Sequence, residues 1–176
     1  PDVREAVQQA LVREESPAGR EVLSQLLENY GIAQTECVAI CQDTGMAVLF
    51  IDYGQELTVE GGSFEEAVNE GIRRAYAEGY LRKSVVADPL FTRKNTGDNT
   101  PAILHTRIVP GDGLRILGIA KGFGSENMSA LRMLKPSDGP EGVKRFVIET
   151  VRAAGPNPCP PTIVGVGIGG DFEQAA

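Results

Sequence analysis

Apolar residues recur at helical spacing over two segments at the start of the chain, and this pattern predicts two helices. Ser16-Pro17 supplies an N-cap and a proline at the first helical position between them. Gly31 predicts the end of the second helix. The apolar face of the first helix, over residues 2–15, comprises Val3, Ala6, Val7, Ala10 and Leu11, and that of the second comprises Val22, Leu23, Leu26, Leu27 and Tyr30.

The middle of the chain mixes strand and helix signals. The apolar run over residues 46–51 predicts a strand, and the capping box Ser63-Phe-Glu-Glu66 predicts a helix to about Glu78 that stops near Gly79. Residues 82–101 form a polar, irregular stretch, and loops of this length are usually either functional or disordered. Two further strands are expected over residues 102–109 and 114–120, joined by Pro110-Gly-Asp-Gly113 as a hairpin turn.

The last third contains an amphipathic helix, a strand and the start of another helix. Gly155 predicts the end of the amphipathic helix. The β-branched run over residues 162–168 predicts a strand that is covered on both faces. A helix beginning at Phe172 suggests a chain truncated at both ends, and we expect residues 1–176 to form one catalytic domain of mixed α/β class with its glycine-rich loops at one end. The apolar face of the amphipathic helix comprises Val143, Phe146, Val147, Val151 and Ala154.

Composition and charge narrow the functional classes. A net charge of −7 and a pI of about 4.8 argue against a nucleic-acid-binding protein. No apolar run has the length of a membrane span, so a cytoplasmic protein is expected. Three cysteines do not make a disulfide framework in a chain of 176 residues, which leaves them as thiols or as ligands.

Four loop strings hold most of the unusual residues. They are Cys41-Gln-Asp-Thr-Gly45, Lys94-Asn-Thr-Gly-Asp-Asn-Thr-Pro101, Lys121-Gly-Phe-Gly-Ser-Glu-Asn127, and Cys159-Pro-Pro161 followed by Gly169-Gly170. In this order they closely resemble the α region of the class I, iron–sulfur-dependent fumarate hydratases and L-tartrate dehydratases. The resemblance runs over nearly the whole chain and implies an oxygen-sensitive hydro-lyase of the tricarboxylic acid cycle that hydrates fumarate to L-malate. The alternative within the family is the α subunit of an L(+)-tartrate dehydratase.

The resemblance also implies a cofactor and its ligands. Cys41 and Cys159 match the first and second cysteine ligands of a [4Fe–4S] cluster whose open iron acts as a Lewis acid. The third ligand is expected beyond Ala176. Cys37 lies outside the matched string, and we expect it to serve packing.

The same resemblance implies roles for other residues, most of them within the four strings. Asp43 is the candidate for acid–base work, and Gln42 and Arg82 are candidates for binding substrate hydroxyl or carboxylate groups. Gly122 and Gly124 would let backbone N–H groups approach an anion, although Phe123 stands where family members commonly carry a third glycine. Asn95 and Asn99 are expected to hold the long loop in shape, and His105 to be structural. The supporting residues are Thr44, Lys121, Ser125 and Asn127.

The resemblance implies a partner, and two functions from other classes remain open. A β subunit, or a β region of the same chain, would complete the site, in a dimer of αβ units. Gly165-Val-Gly-Ile-Gly-Gly170 satisfies the dinucleotide-binding pattern, but its first glycine falls inside the predicted strand and not in the turn after it. A non-catalytic subunit that only binds a partner is the other alternative.

Overall fold

A computed structural model describes residues 2–176 and divides into two compact units. The first unit ends at Ala120, and the second runs from Lys121 to Ala176. Helices and a mixed sheet make up the structure, so the predicted α/β class is confirmed. Among the helices of the described residues, none combines the length and the apolar character needed to cross a membrane.

Two helices open the first unit and pack against each other. Helix α1 spans Asp2–Arg13, and helix α2 spans Pro17–Glu36 with the Ser16 side chain accepting from the Gly19 N–H, as predicted. The predicted end at Gly31 is wrong. Glycine only weakens a helix unless its backbone turns left-handed, and here the left-handed residue is Cys37, whose N–H donates to the Ala33 carbonyl.

The sheet of the first unit has the strand order β2-β1-β3 within residues 2–176. Strand β1 spans Met46–Gly54, β2 spans Ile103–Val109 and β3 spans Leu114–Lys121, with β1 parallel to β2. The predicted hairpin between the second and third strands is therefore wrong, because β1 lies between them.

The end of β1 takes the hydrogen bonds that the hairpin would have used. The Gly54 N–H donates to the Gly113 carbonyl over 2.9 Å, and the Glu56 N–H donates to the Gly111 carbonyl over 3.0 Å. A Cβ atom at Gly54 would collide with the Gly111 carbonyl, so this close approach needs glycine. The sequence 110–113 therefore forms a turn that wraps the end of the central strand.

The core lies between β1 and one helix. Helix α3 spans Phe64–Glu78, capped by Ser63 and Gly79 as predicted. Strand β1 buries every second residue from Ala47 to Ile51, and Ile51 is its most enclosed side chain at 1% exposure. The buried cluster comprises Ala47, Leu49, Ile51, Tyr76 and Ala102, with Phe64, Val68, Ile72, Leu81 and Leu104 packed at its edge.

The second unit contains short helices and one long helix. Helix α4 spans Phe123–Glu126, and a 3-10 turn over Pro136–Asp138 leads into α5, Gly139–Ala154, which ends at Gly155 as predicted. Helix α6 spans Phe172–Ala175 and begins at Phe172 as predicted, with Asp171 as its N-cap.

The strand predicted over residues 162–168 does not form. No strand occurs there in the described chain, and Ile163 and Ile168 are 78% and 75% exposed. An apolar β-branched run becomes a strand only where another strand offers its backbone, and none is paired with this segment within residues 2–176.

Candidate active site

The first predicted ligand loop lies between α2 and β1. Cys41 is half-buried, and the Asp43 N–H donates to its Sγ atom over 3.4 Å. Thr44 and Gly45 are buried, and the positive φ of 55° at Gly45 turns the chain into the strand. The loop therefore fixes the thiol and the neighbouring carboxylate relative to the rigid central strand.

An ion pair links this loop to the start of the long loop. An Arg82 guanidinium nitrogen lies 3.1 Å from Asp43 Oδ1, and Arg82 Nε donates to Ser84 Oγ over 3.2 Å. The Asp43 side chain is 16% exposed while that of Arg82 is 52% exposed. The structure thus brings together Cys41, Asp43 and Arg82, whereas Gln42 is exposed beside them.

Buried polar groups support the ion pair from behind. Thr44 Oγ1 donates to the Arg82 carbonyl over 3.0 Å, and the Tyr76 hydroxyl donates to the Thr44 carbonyl over 3.1 Å. Burial raises the pKa of Tyr76, so this hydroxyl stays protonated as a donor. The sequence reasoning missed Tyr76. Its only signal was a tyrosine on the apolar face of α3, where a buried hydroxyl needs a partner.

The long loop over residues 82–101 is held by side-chain to backbone hydrogen bonds. Asn95 Nδ2 donates to the Lys83 carbonyl over 3.0 Å, and Val86 forms an isolated antiparallel bridge with Asn95. Asp98 is ion-paired with Arg73 of α3 over 3.1 Å. The pKa of Asp98 is lowered, first by the backbone hydrogen bond from Thr100 and also by Arg73.

The outer end of that loop is organised by one carboxylate. Asp88 accepts from the N–H groups of Leu90, Phe91 and Thr92, and these bonds lower its pKa from 3.8 to about 2. Leu90 and Phe91 themselves are 69% and 83% exposed. The outer end of the predicted irregular loop is therefore ordered by local capping and not by burial.

The second unit gathers another set of predicted residues on one turn. Lys121 Nζ lies 3.1 Å from Ser125 Oγ and 3.0 Å from Glu126, and Ser125 Oγ donates to the Gly122 carbonyl over 2.9 Å. Gly122 caps helix α4, and Gly124 lies within it. Asn127 is exposed at the end of the helix, where its N–H donates to the Phe123 carbonyl. Anion binding by these glycines stays a prediction.

The remaining cysteines and the histidine lie on the surface. Cys159 is exposed and follows buried Pro158. Cys37 is exposed at the end of α2, so the packing role predicted for it is wrong. His105 is exposed on β2, where its ring stacks on Phe50 with centroids 5.1 Å apart. Across residues 2–176, no group of three or more histidine, cysteine, aspartate or glutamate side chains is arranged to hold a metal ion.

The donor chemistry of the two matched cysteines fits part of an iron–sulfur ligand set. An N–H···S hydrogen bond such as that from Asp43 to Cys41 is the kind of interaction that tunes cluster thiolates. Two thiols are fewer than the three that a cubane with one open iron requires. Thiol is the donor type that an iron–sulfur cluster takes, and binding of a cluster by Cys41 and Cys159 stays a prediction.

Comparison with known proteins decides the family. The family model described as "Fumarate hydratase (Fumerase)" matches residues 1–176. The chain belongs to the fumarate hydratase family. This confirms the resemblance carried by the four loop strings.

Relatives of this chain are named as tartrate dehydratase alpha subunits or as class I fumarate hydratases. A putative L(+)-tartrate dehydratase subunit alpha of Methanocaldococcus jannaschii is 42% identical over 99% of this chain and 62% of that protein. The anaerobic class I fumarate hydratase of Escherichia coli K12 is 36% identical over 92% of this chain and 30% of that protein. An L(+)-tartrate dehydratase subunit alpha of E. coli UTI89 is 30% identical over 99% of this chain and 58% of that protein. The chain thus spans less than two thirds of the length of each.

Proposed function

We propose that this chain is the α portion of a hydro-lyase that reversibly adds water to fumarate to give L-malate. The observation that carries the proposal is the Asp43–Arg82 ion pair, 3.1 Å long, in the loop whose Asp43 N–H also bonds to Cys41 Sγ. A carboxylate can take up the proton, a guanidinium can bind a substrate carboxylate, and a thiol can ligate a metal, so this arrangement suits the dehydration of a hydroxy-dicarboxylate. The family of the chain supports the same reaction class.

The exposed guanidinium suits substrate binding. Arg82 keeps about half of its side chain accessible while one nitrogen is held by Asp43. A guanidinium presents several N–H donors in a fixed fork, so the remaining donors can bind a substrate carboxylate in two places. Gln42, exposed in the same loop, could hydrogen-bond a second oxygen of the substrate.

The carboxylate of Asp43 suits proton transfer. In dehydration the C–H bond next to a carboxylate breaks, its proton goes to a base, and hydroxide leaves from the adjacent carbon as the double bond forms. Asp43 would hold that proton, and the hydration direction would return it to carbon while hydroxide adds. Its low exposure limits competition from bulk water.

Cys41 and Cys159 would contribute thiolates to a [4Fe–4S] cluster, with the third expected outside residues 1–176. When bound, such a cluster supplies an open iron that acts as a Lewis acid toward hydroxyl and carboxylate oxygens. Three further properties remain predictions from the sequence: oxygen sensitivity, a cytoplasmic location and a role in the tricarboxylic acid cycle.

L(+)-tartrate is the second candidate substrate. The 42% identity to the M. jannaschii protein named as a putative tartrate dehydratase subunit supports tartrate. Within E. coli the order is reversed, with 36% to the fumarate hydratase and 30% to the tartrate dehydratase subunit, so the identities support both substrates. Both substrates are four-carbon dicarboxylates, and the Arg82–Asp43 pair would serve either.

Dinucleotide binding is not supported by the structure of residues 162–168. This apolar run is exposed and forms no strand, so it does not provide the strand-turn-helix setting that dinucleotide binding requires.

A β subunit is the expected partner. Two of the relatives are named as alpha subunits, which supports a division of the enzyme into α and β parts. We propose that the β part completes the site and that αβ units pair. Normal turnover by the purified α part alone would contradict this.

The test uses the full-length protein with its β part, prepared and loaded with iron and sulfide without oxygen. Expected results are bound iron and sulfide in equal amounts, fumarate consumption, and water loss from L-malate. Equal assays with L(+)-tartrate decide between the two substrates. A loaded protein with no turnover of any hydroxy-dicarboxylate would overturn the proposal and favour a non-catalytic subunit.

A further inference from the structure

One asparagine in the long loop is fully enclosed. Asn99 has 0% exposure, the lowest of the buried polar residues in the described chain. Its backbone φ of 61° is left-handed, a conformation that asparagine adopts more readily than most residues. Burying a polar side chain this deeply costs free energy unless protein groups satisfy its hydrogen bonds.

The Asn99 side chain joins two segments that carry proposed site residues. Its Oδ1 atom accepts from the Ser84 N–H over 2.7 Å and from the Val85 N–H over 3.0 Å, two and three residues after Arg82. Its Nδ2 atom donates over 3.0 Å to the carbonyl of Gly45, at the end of the loop that holds Cys41 and Asp43. One amide group therefore bridges the acid–base side and the carboxylate-binding side of the proposed site.

A second connection runs parallel to the first. The Thr44 hydroxyl donates to the Arg82 carbonyl, and the Tyr76 hydroxyl donates to the Thr44 carbonyl. Asn99 is itself anchored, because the adjacent Asp98 is ion-paired with Arg73 of α3. The Asn99 amide thus transmits the position of α3 and the core to both segments.

We propose that Asn99 is a positioning residue, which sets the separation and orientation of Asp43 and Arg82 without touching the substrate. The proposal rests on the hydro-lyase function proposed above for its catalytic consequence. It requires an amide at residue 99, since the position uses an acceptor toward Ser84 and Val85 and a donor toward Gly45. A carboxylate could replace only the acceptor and would face the Gly45 carbonyl with a second oxygen.

The chain provides a matched control. Asn69 on α3 is also buried, at 6% exposure, and its Oδ1 accepts from the Ala102 N–H over 2.9 Å. Asn69→Asp buries the same new carboxyl group and keeps the same type of acceptor, but it breaks no link between Asp43 and Arg82. Asn99→Asp and Asn69→Asp therefore share the cost of burial and differ in the predicted effect on the site.

The experiment compares the parent, Asn99→Asp and Asn69→Asp in the full-length protein with its β part. Three quantities are measured below the unfolding temperature of each variant: kcat, KM for fumarate or L(+)-tartrate, and the alkylation rate of Cys41 in the iron-free protein, followed on its own peptide by mass spectrometry. For Asn99→Asp we expect KM to rise about tenfold and kcat to fall about 10- to 100-fold, because a misplacement near 1 Å can cost about 100-fold. Cys41 alkylation should accelerate several-fold, while Asn69→Asp stays near the parent in all three.

Other outcomes are decisive as well. Equal kcat, KM and alkylation rates in the two folded variants would make Asn99 merely structural and overturn the proposal. If Asn99→Asp does not fold, Asn99→Gly decides in its place, since glycine keeps the left-handed backbone and removes both arms of the bridge. Failure of both to fold, while Asn69→Asp folds, would also overturn it. A parent without turnover would refute the proposed function, and the alkylation rates would then decide the positioning role alone.

Discussion

The two predicted ligand loops differ in how the protein holds them. The loop of Cys41 has buried Thr44 and Gly45, and hydrogen bonds from Asn99 and Tyr76 fix its backbone. The loop of Cys159 is exposed, and the apolar residues after it are exposed too, with Ile163 at 78%. The first loop is thus positioned by polar groups of its own unit, whereas the second has no comparable burial within its unit. The sequence motif locates both loops equally well. The hydrogen bonds that hold the Cys41 loop come from residues distant in the sequence, so the motif does not reveal them.

The largest expected effect comes from removing either matched thiol. Cys41→Ser and Cys159→Ser should each lower turnover by at least about 100-fold, because loss of an outer-shell partner of a metal ligand already costs about 10- to 100-fold. Equal losses of turnover in the two variants would show that both cysteines are needed, although Cys41 is half-buried and Cys159 is exposed. Iron content and fumarate hydration without oxygen are the measurements.

Cys37→Ser is the control for both substitutions. Cys37 is exposed at the end of α2, outside the matched string, and its replacement should leave iron content and turnover unchanged. Full iron content in either Cys41→Ser or Cys159→Ser would remove that residue from the proposed ligand set.

The next largest effect is expected at the carboxylate of the first loop. Asp43→Asn keeps the size of the side chain but removes the proton acceptor, so kcat should fall by about 100- to 10,000-fold. Asp52→Asn is the matched control, because Asp52 is also partly buried and ion-paired with an arginine, Arg107, at 2.8 Å. Similar kcat losses in the two variants would indicate a general electrostatic effect and contradict a specific role for Asp43.

Local signals predicted most helix ends correctly, with the end of α2 as the exception, since it lies at Cys37 and not at Gly31. The caps at Ser16, Ser63 and Asp171 and the end at Gly155 were all correct, since a cap depends on a few adjacent residues. The hairpin at 110–113 and the strand at 162–168 were wrong because strand pairing is set by distant partners. The same turn residues serve a hairpin or the wrapping of a central strand.

The candidate site followed the same division. The family resemblance assigned roles to Cys41, Asp43 and Arg82, and in the structure Asp43 contacts both of the others. Neither Tyr76 nor the bridging role of Asn99 could be predicted, because their partners lie 32 and 54 residues away in the chain. A hydroxyl or amide group expected to be buried must have a hydrogen-bond partner, but the sequence does not show which residue that partner is.

A moderate effect should distinguish the supports of the two loops. Tyr76→Phe removes the donor to the buried Thr44 carbonyl, and we expect it to lower the free energy of unfolding by about 1–3 kcal/mol. Ile163→Thr in the exposed segment should change it by less than about 0.5 kcal/mol. Denaturant unfolding measures both, and an equal loss in the two variants would contradict the difference between the loops.

The smallest effect concerns order at the outer end of the long loop and its dependence on pH. Asp88 has its pKa lowered to about 2 by three backbone N–H groups. Because this folded-state pKa lies below the ordinary value of 3.8, the bonds stabilise the loop above about pH 4, and this stabilisation is lost as pH falls toward 2. In Asp88→Ala we expect amide exchange at Leu90–Thr92 to rise roughly fivefold at neutral pH, as for a lost cap.

The measurement is hydrogen exchange by mass spectrometry, corrected for the intrinsic effect of pH, with strand β1 as the internal reference. In the parent, protection of residues 90–92 should fall on acidification before that of β1, whereas Asp112→Asn in the turn after β2 should leave residues 90–92 unchanged. Parallel loss of protection in the loop and in β1 would mean that the loop shares the stability of the core. The polar network would then hold the whole long loop as firmly as it holds the first ligand loop, and the exposed second ligand loop would be the exception within the chain.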